Sequence, residues 1–289
     1  MDIIVCVREV VDLASPVKVL DSHTLNTNNL PREINPFDLL AIEEAVRWKE
    51  KGIAAAVTIV SIGSERTSDS LYKCLAMGAD RAILVYQPHF EDLDSWEIAS
   101  ILGKVINSLT WELVFCGQKD MDTELGLVGF YLAEILGVSI ASRAVKIEPS
   151  PERGKIIVHR KLQRGDREVV MLAPPAVIAI EAGLNEPRYI SRRSLMAARD
   201  KTIERIDVVA IGLPLSKFEH DFPKIKIVAF SRPMPKKIFV PDSSLPPARR
   251  LHEVVSAGVR QKKATLIKEN PGEAASKLIQ YLSQKINIA

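Results

Sequence analysis

The segment that decides the fold class runs from Gly117 to Gly137 and reads GQKDMDTELGLVGFYLAEILG. A short apolar run, Leu113-Val114-Phe115-Cys116, precedes it, and apolar residues recur at helical spacing through its second half. Gly137 stands where a glycine ends many helices. The pattern predicts a strand, an irregular loop and a helix, so the loop's backbone N–H groups and the helix dipole converge on one point.

That loop is the first candidate for a ligand site. In an open parallel sheet, ligands bind beyond the carboxyl ends of the strands, where such a loop lies. An anion such as a nucleotide phosphate is the ligand that a helix N-terminus favours. The alternative is a connection that joins the strand to the helix and binds nothing.

Length and composition favour a globular protein with one large domain or two small ones. The 289 residues are 47% hydrophobic, which is enough for a sizeable core. No apolar run approaches the roughly 18 to 20 residues of a membrane span, and a net charge of +3 gives no support for nucleic-acid binding. The chain begins directly with a strand, without a signal peptide, so we expect it in the cytoplasm. The three cysteines lack metal-site spacing and are expected to be free buried thiols.

Strands and helices alternate through the first half of the chain. The continuous apolar run Ile3–Val7 is typical of a central parallel strand. Asn35 is a predicted N-cap, Pro36 fits the first helical position, and Asp38 stands where a capping box would place it. Further strands are predicted at Ala56–Ile62 and Arg81–Val85, and a capped helix after Asp94. The alternation predicts a doubly wound α/β fold with a parallel sheet.

The pattern changes after about residue 138. Short strands joined by turns predict an antiparallel hairpin insertion at about 142–173. The run Ala176–Ile180 is expected to return to the parallel sheet. We therefore place an α/β nucleotide-binding domain at residues 1–190.

The remaining segment, residues 191–289, reads as an extended C-terminal tail. It is irregular, with a proline-rich stretch from Pro214 to Pro247 and a last helix at about Gly272–Lys285. A tail of this length with little periodicity is unusual in a compact domain. We expect a partner-recognition segment followed by an arm that packs on another protein. The alternative is a flexible linker with a terminal helix.

Five stretches occur in an order and at intervals that match a known family. They are VCVREVVD (Val5–Asp12), INPFDLLAIEEAVRWKE (Ile34–Glu50), LAMGADRAILV (Leu75–Val85), the Gly117 loop and GLNEPRY (Gly183–Tyr189). Together with ENPGEAASKLIQYL near the end, they resemble the β subunit of electron transfer flavoprotein. The resemblance covers essentially the whole chain.

The resemblance implies a Rossmann-like, adenine-nucleotide-binding fold and a heterodimer with an α subunit, which carries most of the site for a redox-active FAD. In this subunit it implies AMP or, in electron-bifurcating members, a second FAD. The implied function is electron transport from flavin dehydrogenases, such as acyl-CoA dehydrogenase, to a quinone oxidoreductase or another acceptor. We found no catalytic set and no metal set in the sequence, which fits an electron carrier. A stand-alone adenine-nucleotide-binding protein is the alternative from another class.

The resemblance also implies the cofactor-binding residues. They are Cys6, Asn35, Pro36, Phe37, Asp38, Ile62, Gly117, Asp122, Glu124, Leu125, Gly126, Leu127 and Val128. Leu125 and Leu127 depart from the family, because a hydroxyl or small residue and an amide usually stand there. Phosphate would then depend on backbone N–H groups around Gly126. Asp122 and Glu124 would repel a phosphate unless they point at ribose or at the partner, so AMP, FAD and an empty site all remain open.

The segment after GLNEPRY is a docking loop in the resembling family, where an exposed leucine anchors the partner dehydrogenase. Here Arg192 stands at about that position, followed by Arg193 and Leu195. Two arginines can bind carboxylates on a partner in bidentate geometry. We therefore expect docking through charge more than through an apolar side chain; the alternative is a solvated helix start.

Overall fold

The computed structural model describes residues 1–12, 14–21, 25–27, 30–87, 90–212, 228–231, 240–255 and 270–286. The chain divides into two units, Met1–Arg232 and Pro233–Ala289. Most of the proline-rich stretch from Pro214 to Pro247 lies outside the described residues, as does part of the expected C-terminal arm.

The first unit contains strands β1 (Asp2–Val7), β2 (Glu9–Val11), β3 (Lys18–Val19), β4 (Leu25–Asn26), β5 (Arg32–Ile34), β6 (Ala56–Gly63), β7 (Arg81–Tyr86), β8 (Leu113–Gly117), β9 (Ser139–Pro149), β10 (Ile156–Lys161), β11 (Arg167–Leu172), β12 (Ala176–Ile180) and β13 (Glu204–Asp207). Its helices are α1 (Pro36–Glu50), α2 (Thr67–Met77), α3 (Ser95–Ile106), α4 (Val128–Leu136) and α5 (Arg192–Arg199). Short 3-10 turns lie at Phe90–Asp92, Gln163–Gly165 and Val208–Ile211.

A nine-stranded sheet forms the centre of this unit, in the order β11-β10-β9-β12-β8-β1-β6-β7-β13. The seven strands β9, β12, β8, β1, β6, β7 and β13, which are adjacent in that sheet order, pair in parallel. The strand β10, which lies between β9 and β11, is antiparallel to both of them. The chain builds outwards from β1 through β6 and β7 on one side, and through β8 and β12 on the other. The doubly wound α/β fold with a hairpin insertion is confirmed, and the strand order reverses between β1 and β8.

Helices cover both faces of the sheet, which explains the continuous apolar strands. Ile3 and Val5 face a core that contains residues of α1 and α2. Ile4 and Cys6, which alternate with them along β1, face a second core with residues of α3 and α4. The cleft described below opens on the second of these faces.

Local signals set most helix ends. Asn35 is the N-cap of α1 and Pro36 its first residue, as predicted. The capping box expected at Asp38 is wrong: α1 has no side-chain cap, because the carboxylate of Asp38 binds other backbone groups. The capping box at Asp94 is confirmed, since its side chain accepts from the N–H of Glu97 at 2.8 Å. Gly137 ends α4 in the left-handed conformation, as predicted.

Residues 191–212, which we assigned to the tail, are ordered parts of the first unit. Ala198 of α5 is 2% exposed and belongs to the core that contains α1 and α2. The short strand β13 pairs in parallel with β7 and extends the sheet. The strand β13 was not predicted, because it is short and buries few apolar side chains, whereas α5 begins at Arg192, where the sequence offered a helix start as one alternative.

The second unit contains, in the described residues, α6 (Pro247–Val255) and α7 (Pro271–Ile286). The predicted last helix is thus confirmed, and α6 was not predicted. Leu251, Val255 and Ile279 are exposed on these helices. Across the described ranges, the chain has no helix with the length and apolar character needed to span a membrane.

Candidate functional site

A cleft opens at the carboxyl ends of β1 and β8, where the strand order reverses. Its cavity volume is about 50 Å³, and the space that includes the part open to solvent is about 550 Å³. Its apolar wall consists of Cys6, Ile62, Phe90, Ile98, Leu102, Cys116 and Val128. Arg8, Asp38 and Asp120 add polar groups at its edge. Open α/β sheets bind ligands at such a reversal.

Two thiols form part of the apolar wall. Cys6 and Cys116 lie on the neighbouring strands β1 and β8 and are 5% and 4% exposed. Burial raises the pKa of each thiol, so both remain protonated near neutral pH. Gly129 of α4 packs closely here, because a Cβ at that position would lie 3.0 Å from the sulfur of Cys116. The wall can therefore contact a flat apolar group such as a nucleotide base.

Asp38 ties together the two strand ends that flank the cleft. Its carboxylate accepts from the N–H of Arg8 and from the N–H of Gly117, both at 2.8 Å. Burial raises the pKa of Asp38 to about 7, the nearby carboxylate of Asp120 adds to the rise, and the two N–H donors oppose it. Position 117 requires glycine, since a Cβ there would lie 2.5 Å from Oδ1 of Asp38.

Asn35 reaches from the start of α1 to the loop after β8. Its Nδ2 donates to the carbonyl of Lys119 at 3.1 Å. Its Oδ1 is buried and has no hydrogen-bond partner within the described residues. A buried acceptor without a donor costs free energy. A ligand hydroxyl or amine could supply the missing donor.

Arg8 bridges the cleft from the end of β1 to the loop after β8. Its Nη1 donates to Asp120 at 2.7 Å and its Nη2 to Asp122 at 3.2 Å. Desolvation lowers the pKa of Arg8, but the carboxylates outweigh it, so the pKa is raised and the guanidinium stays charged. Lys119 binds Glu124 in the same loop at 2.7 Å. The acidic residues that were expected to repel a phosphate therefore each have a cationic partner.

The loop between β8 and α4 ends at an uncapped helix. Leu127 is the N-cap of α4 and makes no side-chain hydrogen bond to the helix. Glu124 and Gly126 both have positive φ, at 53° and 62°, and a Cβ on Gly126 would lie 2.9 Å from the carbonyl of Gln118. The first N–H groups of α4 thus lack the cap that a serine or aspartate would provide. Such a terminus can bind an anion.

The structure brings together five of the residues that the sequence indicated, since Cys6, Asp38, Ile62, Gly117 and Val128 line the cleft. The others lie around it. Asn35 and Phe37 are buried at the start of α1, which begins at Pro36, and Asp122, Glu124, Leu125, Gly126 and Leu127 form the loop that precedes α4.

Seven further residues that line the cleft were not identified as cofactor-binding from the sequence: Val7, Arg8, Phe90, Ile98, Leu102, Cys116 and Asp120. The position of Arg8, directly after an apolar strand, could have indicated it. Ile98 and Leu102 lie four residues apart on the apolar stripe of α3, but that spacing equally describes a core helix. No set of three or more metal-ligating side chains is placed to hold a metal within the described ranges.

The proposed docking residues lie on α5. Arg192 and Arg193 are exposed, and neither forms an ion pair with any residue that the structure describes. Leu195 is half-buried. Tyr189 and Met196 beside them are 92% and 61% exposed. Tyrosine, methionine and arginine are enriched at protein interfaces.

Comparison with known proteins places this architecture in a family. Residues 22–211 match the model of the electron transfer flavoprotein domain. The probable electron transfer flavoprotein subunit beta of Saccharomyces cerevisiae is 35% identical over 81% of this chain and 88% of its own length. The subunit beta of Methylophilus methylotrophus is 28% identical over 98% of both chains. The mitochondrial subunit beta of Arabidopsis thaliana is 32% identical over 85% of this chain and 94% of its own.

Proposed function

The chain belongs to the electron transfer flavoprotein β-subunit family, and on that premise we propose that it pairs with an α subunit and holds an adenine nucleotide in its cleft. Within the family it is an electron-carrier component rather than a catalytic enzyme. The observation that carries the nucleotide proposal is the cleft where the strand order reverses, with an apolar wall and an uncapped helix at its edge.

The residues of the cleft fit an adenine nucleotide. The wall around Cys6 and Ile62 suits the base, and beside the cleft the unpartnered Oδ1 of Asn35 can accept from a hydroxyl or amine. The N–H groups at the start of α4 suit the phosphate, which compensates for the side-chain donors missing at Leu125 and Leu127. AMP satisfies all three features, and the AMP part of a second FAD would satisfy the same ones.

The redox-active FAD is held mainly by the α subunit in this proposal. When bound, the flavin supplies the chemistry that accepts and releases electrons. Donors are flavin dehydrogenases, such as acyl-CoA dehydrogenases, and the acceptor is a quinone oxidoreductase or another oxidant. The exposed apolar side chains on α6 and α7, such as Leu251 and Ile279, support an arm that packs on the α subunit.

Partner dehydrogenases dock, in this proposal, on α5 through Arg192 and Arg193, together with the half-buried Leu195 of the same helix. Both guanidinium groups are exposed and without an ion-pair partner in the described ranges. A guanidinium binds a carboxylate in bidentate geometry, so the matching surface on the partner is acidic. Exposed Tyr189 and Met196 supply apolar contact beside the two charges.

The test is co-expression with the candidate α subunit and measurement of FAD and AMP released per heterodimer. One FAD and one AMP support a simple carrier, whereas two FAD molecules support an electron-bifurcating one. One FAD without AMP would overturn the nucleotide proposal, and failure to isolate a heterodimer would overturn the pairing.

A variant that fills the cleft sharpens this test. Val128 lines the cleft at the start of α4, so Val128→Phe should exclude AMP while FAD on the α subunit is retained. Val17→Phe is the matched control, because Val17 is 44% exposed and lies outside the cleft. Equal AMP content in both variants would contradict the proposed site.

A further inference from the structure

GLNEPRY, the most distinctive motif of the sequence, binds side chains of α1. Arg188 donates from Nε to Glu43 at 2.8 Å and from Nη1 and Nη2 to both carboxylate oxygens of Glu50, at 2.6 and 3.0 Å. Its backbone N–H also donates to Glu43 at 3.1 Å. One arginine thus binds two carboxylates that lie about two helical turns apart on the same face of α1. We call Arg188, Glu43 and Glu50 the clasp.

Neighbouring contacts hold the same stretch. Asn185 donates from Nδ2 to the carbonyl of Leu40 at 3.0 Å and to Glu44 at 3.1 Å. Glu44 is itself fixed by the indole N–H of the buried Trp48, at 3.0 Å. Two residues of this irregular stretch, Asn185 and Arg188, therefore bind α1 through several hydrogen bonds. Fixing this stretch in one conformation costs conformational entropy, which these hydrogen bonds offset.

The electrostatics of the clasp are strong for so exposed a motif. The side chain of Glu43 is 3% exposed, and that of Arg188 is 30% exposed. Burial tends to raise the pKa of Glu43, but hydrogen bonds from Arg188 outweigh it and hold that pKa below its ordinary value. The hydrogen bond from Arg188 likewise lowers the pKa of Glu50. All three groups are therefore charged at neutral pH.

The clasp stands directly before the docking residues. Tyr189, the next residue, is 92% exposed, and Arg192 and Arg193 begin α5 three residues later. At its far end α5 is fixed by the buried Ala198. The segment 189–197 is thus attached by the clasp before it and by Ala198 within α5, and Ile190 adds an apolar contact with the same core.

The other end of α1 holds the cleft. Asp38 binds the N–H groups at the ends of β1 and β8, and Glu50 of the clasp lies about 18 Å along the same helix axis from it. An α-helix of this length is stiff, so its two ends keep a fixed separation. The clasp therefore sets where the docking segment lies relative to the cleft.

We propose that Arg188 is a positioning residue for electron transfer, which fixes the docking segment to α1 so that an acidic partner binds in one orientation. The inference rests on the proposed function, because it presumes docking through Arg192 and Arg193. Arg188 itself does not contact the partner; it acts through the segment that it holds. Its loss should raise the KM for the donor dehydrogenase while nucleotide content and kcat remain.

The experiment uses the heterodimer with Arg188→Gln, Arg188→Lys and a matched control, Arg81→Gln. Arg81 forms an exposed ion pair with Glu204 that joins β13 to β7, so it removes an equal charge from a different attachment. We measure KM and kcat with the dehydrogenase, FAD and AMP per dimer, and amide hydrogen exchange over residues 189–195.

Arg188→Gln should raise KM about tenfold, because the docking segment must be ordered on binding, and should speed exchange over 189–195. Arg188→Lys keeps the positive charge but loses the bidentate guanidinium, so its KM should lie between those of the wild type and Arg188→Gln. Arg81→Gln should match the wild type. An unchanged KM in Arg188→Gln would overturn the inference while leaving the proposed function intact. A wild type that accepts electrons from no dehydrogenase would overturn both.

Should Arg188→Gln not assemble, Glu50→Gln takes its place. The side chain of Glu50 is 54% exposed, so its neutralisation removes half of the clasp without leaving a buried charge. A rise in KM of about threefold with unchanged FAD and AMP supports the positioning role. A KM equal to that of Arg81→Gln contradicts it.

Discussion

Asp38 and Glu43 are buried carboxylates on the same helix whose surroundings act on them in opposite ways. Asp38 accepts two backbone N–H groups, lies near Asp120, and has a pKa raised to about 7. Glu43 accepts from the guanidinium of Arg188 and from that of Arg47, and its pKa is lowered. Burial tends to raise the pKa of both side chains, so the partners decide the difference.

The comparison shows how one helix serves two purposes. At its first turn, Asp38 is held by neutral donors, which position a cleft without placing a cation on the carboxylate. Five and twelve positions further on, ion pairs hold Glu43 and Glu50 to a loop 145 and 138 residues away in the sequence. Neutral hydrogen bonds position the strand ends, and ion pairs attach a segment that would otherwise be free.

Replacement of Asp38 by alanine should have the largest effect on stability. It leaves the half-buried N–H groups of Arg8 and Gly117 without acceptors, at a cost of about 2 to 5 kcal/mol in the free energy of unfolding. Urea titration at pH 7 measures the change. Asp69→Ala is the control, because that side chain is 78% exposed. A loss below that of the control would show that the strand ends do not depend on Asp38.

Gly117→Ala tests the same contact from the other side. The new Cβ would lie 2.5 Å from Oδ1 of Asp38 and 2.7 Å from the Cβ of Phe37. We expect a loss of about 1 to 3 kcal/mol, as in other overpacked sites, together with reduced AMP content. Gly272→Ala, which meets nothing within 4 Å, should leave stability unchanged. Thermal unfolding measures the stability of both variants, and equal midpoint temperatures would contradict the close approach at Gly117.

The pH dependence of stability should separate the two carboxylates. The pKa of Asp38 rises from 3.8 to about 7 on folding, so the folded state binds the proton more tightly. The free energy of unfolding therefore falls as the pH is raised from about 4 to 7. The pKa of Glu43 is lowered from 4.5, so its contribution is present above that pH and is lost on further acidification.

Two variants measure these windows. Asp38→Asn should flatten the decline between about pH 4 and 7, whose size is roughly 1.4 kcal/mol for each unit of pKa difference. Glu43→Gln should flatten the acid limb below about pH 4.5 and leave the higher window unchanged. Urea titrations at closely spaced pH values give both slopes. If Asp38→Asn and Glu43→Gln had the same dependence of stability on pH, the proposed difference between Asp38 and Glu43 would be wrong.

Arg192→Ala with Arg193→Ala should have the smallest effect on stability, within about 0.5 kcal/mol, because both side chains are exposed. At low ionic strength this variant should nevertheless transfer electrons more slowly than the wild type, with a KM about fivefold higher. The difference in KM between variant and wild type should shrink as salt is added. Arg153→Ala, an exposed arginine in the hairpin, is the control. An unchanged salt dependence would disprove docking through charge.

Local patterns were sufficient for much of the fold. Apolar runs such as Ile3–Val7 predicted buried parallel strands, Pro36 and Asp94 marked helix starts, and Gly137 marked a helix end. These signals succeed because each depends on residues within a few positions of one another. The elements β13 and α6 were not predicted, and β13 is short and carries too few apolar residues to show a period.

The residues in order were sufficient to indicate the family, the alternation of strands and helices, and the five cleft residues that lie at strand and helix ends. The contacts of Asp38 with Gly117, of Arg8 with Asp120 and of Arg188 with Glu43 became visible in the folded chain. Those partners lie 79, 112 and 145 residues apart. Contacts of that range depend on the order of strands in the sheet, and a hydrophobic period reports burial but carries no information about which strands become neighbours.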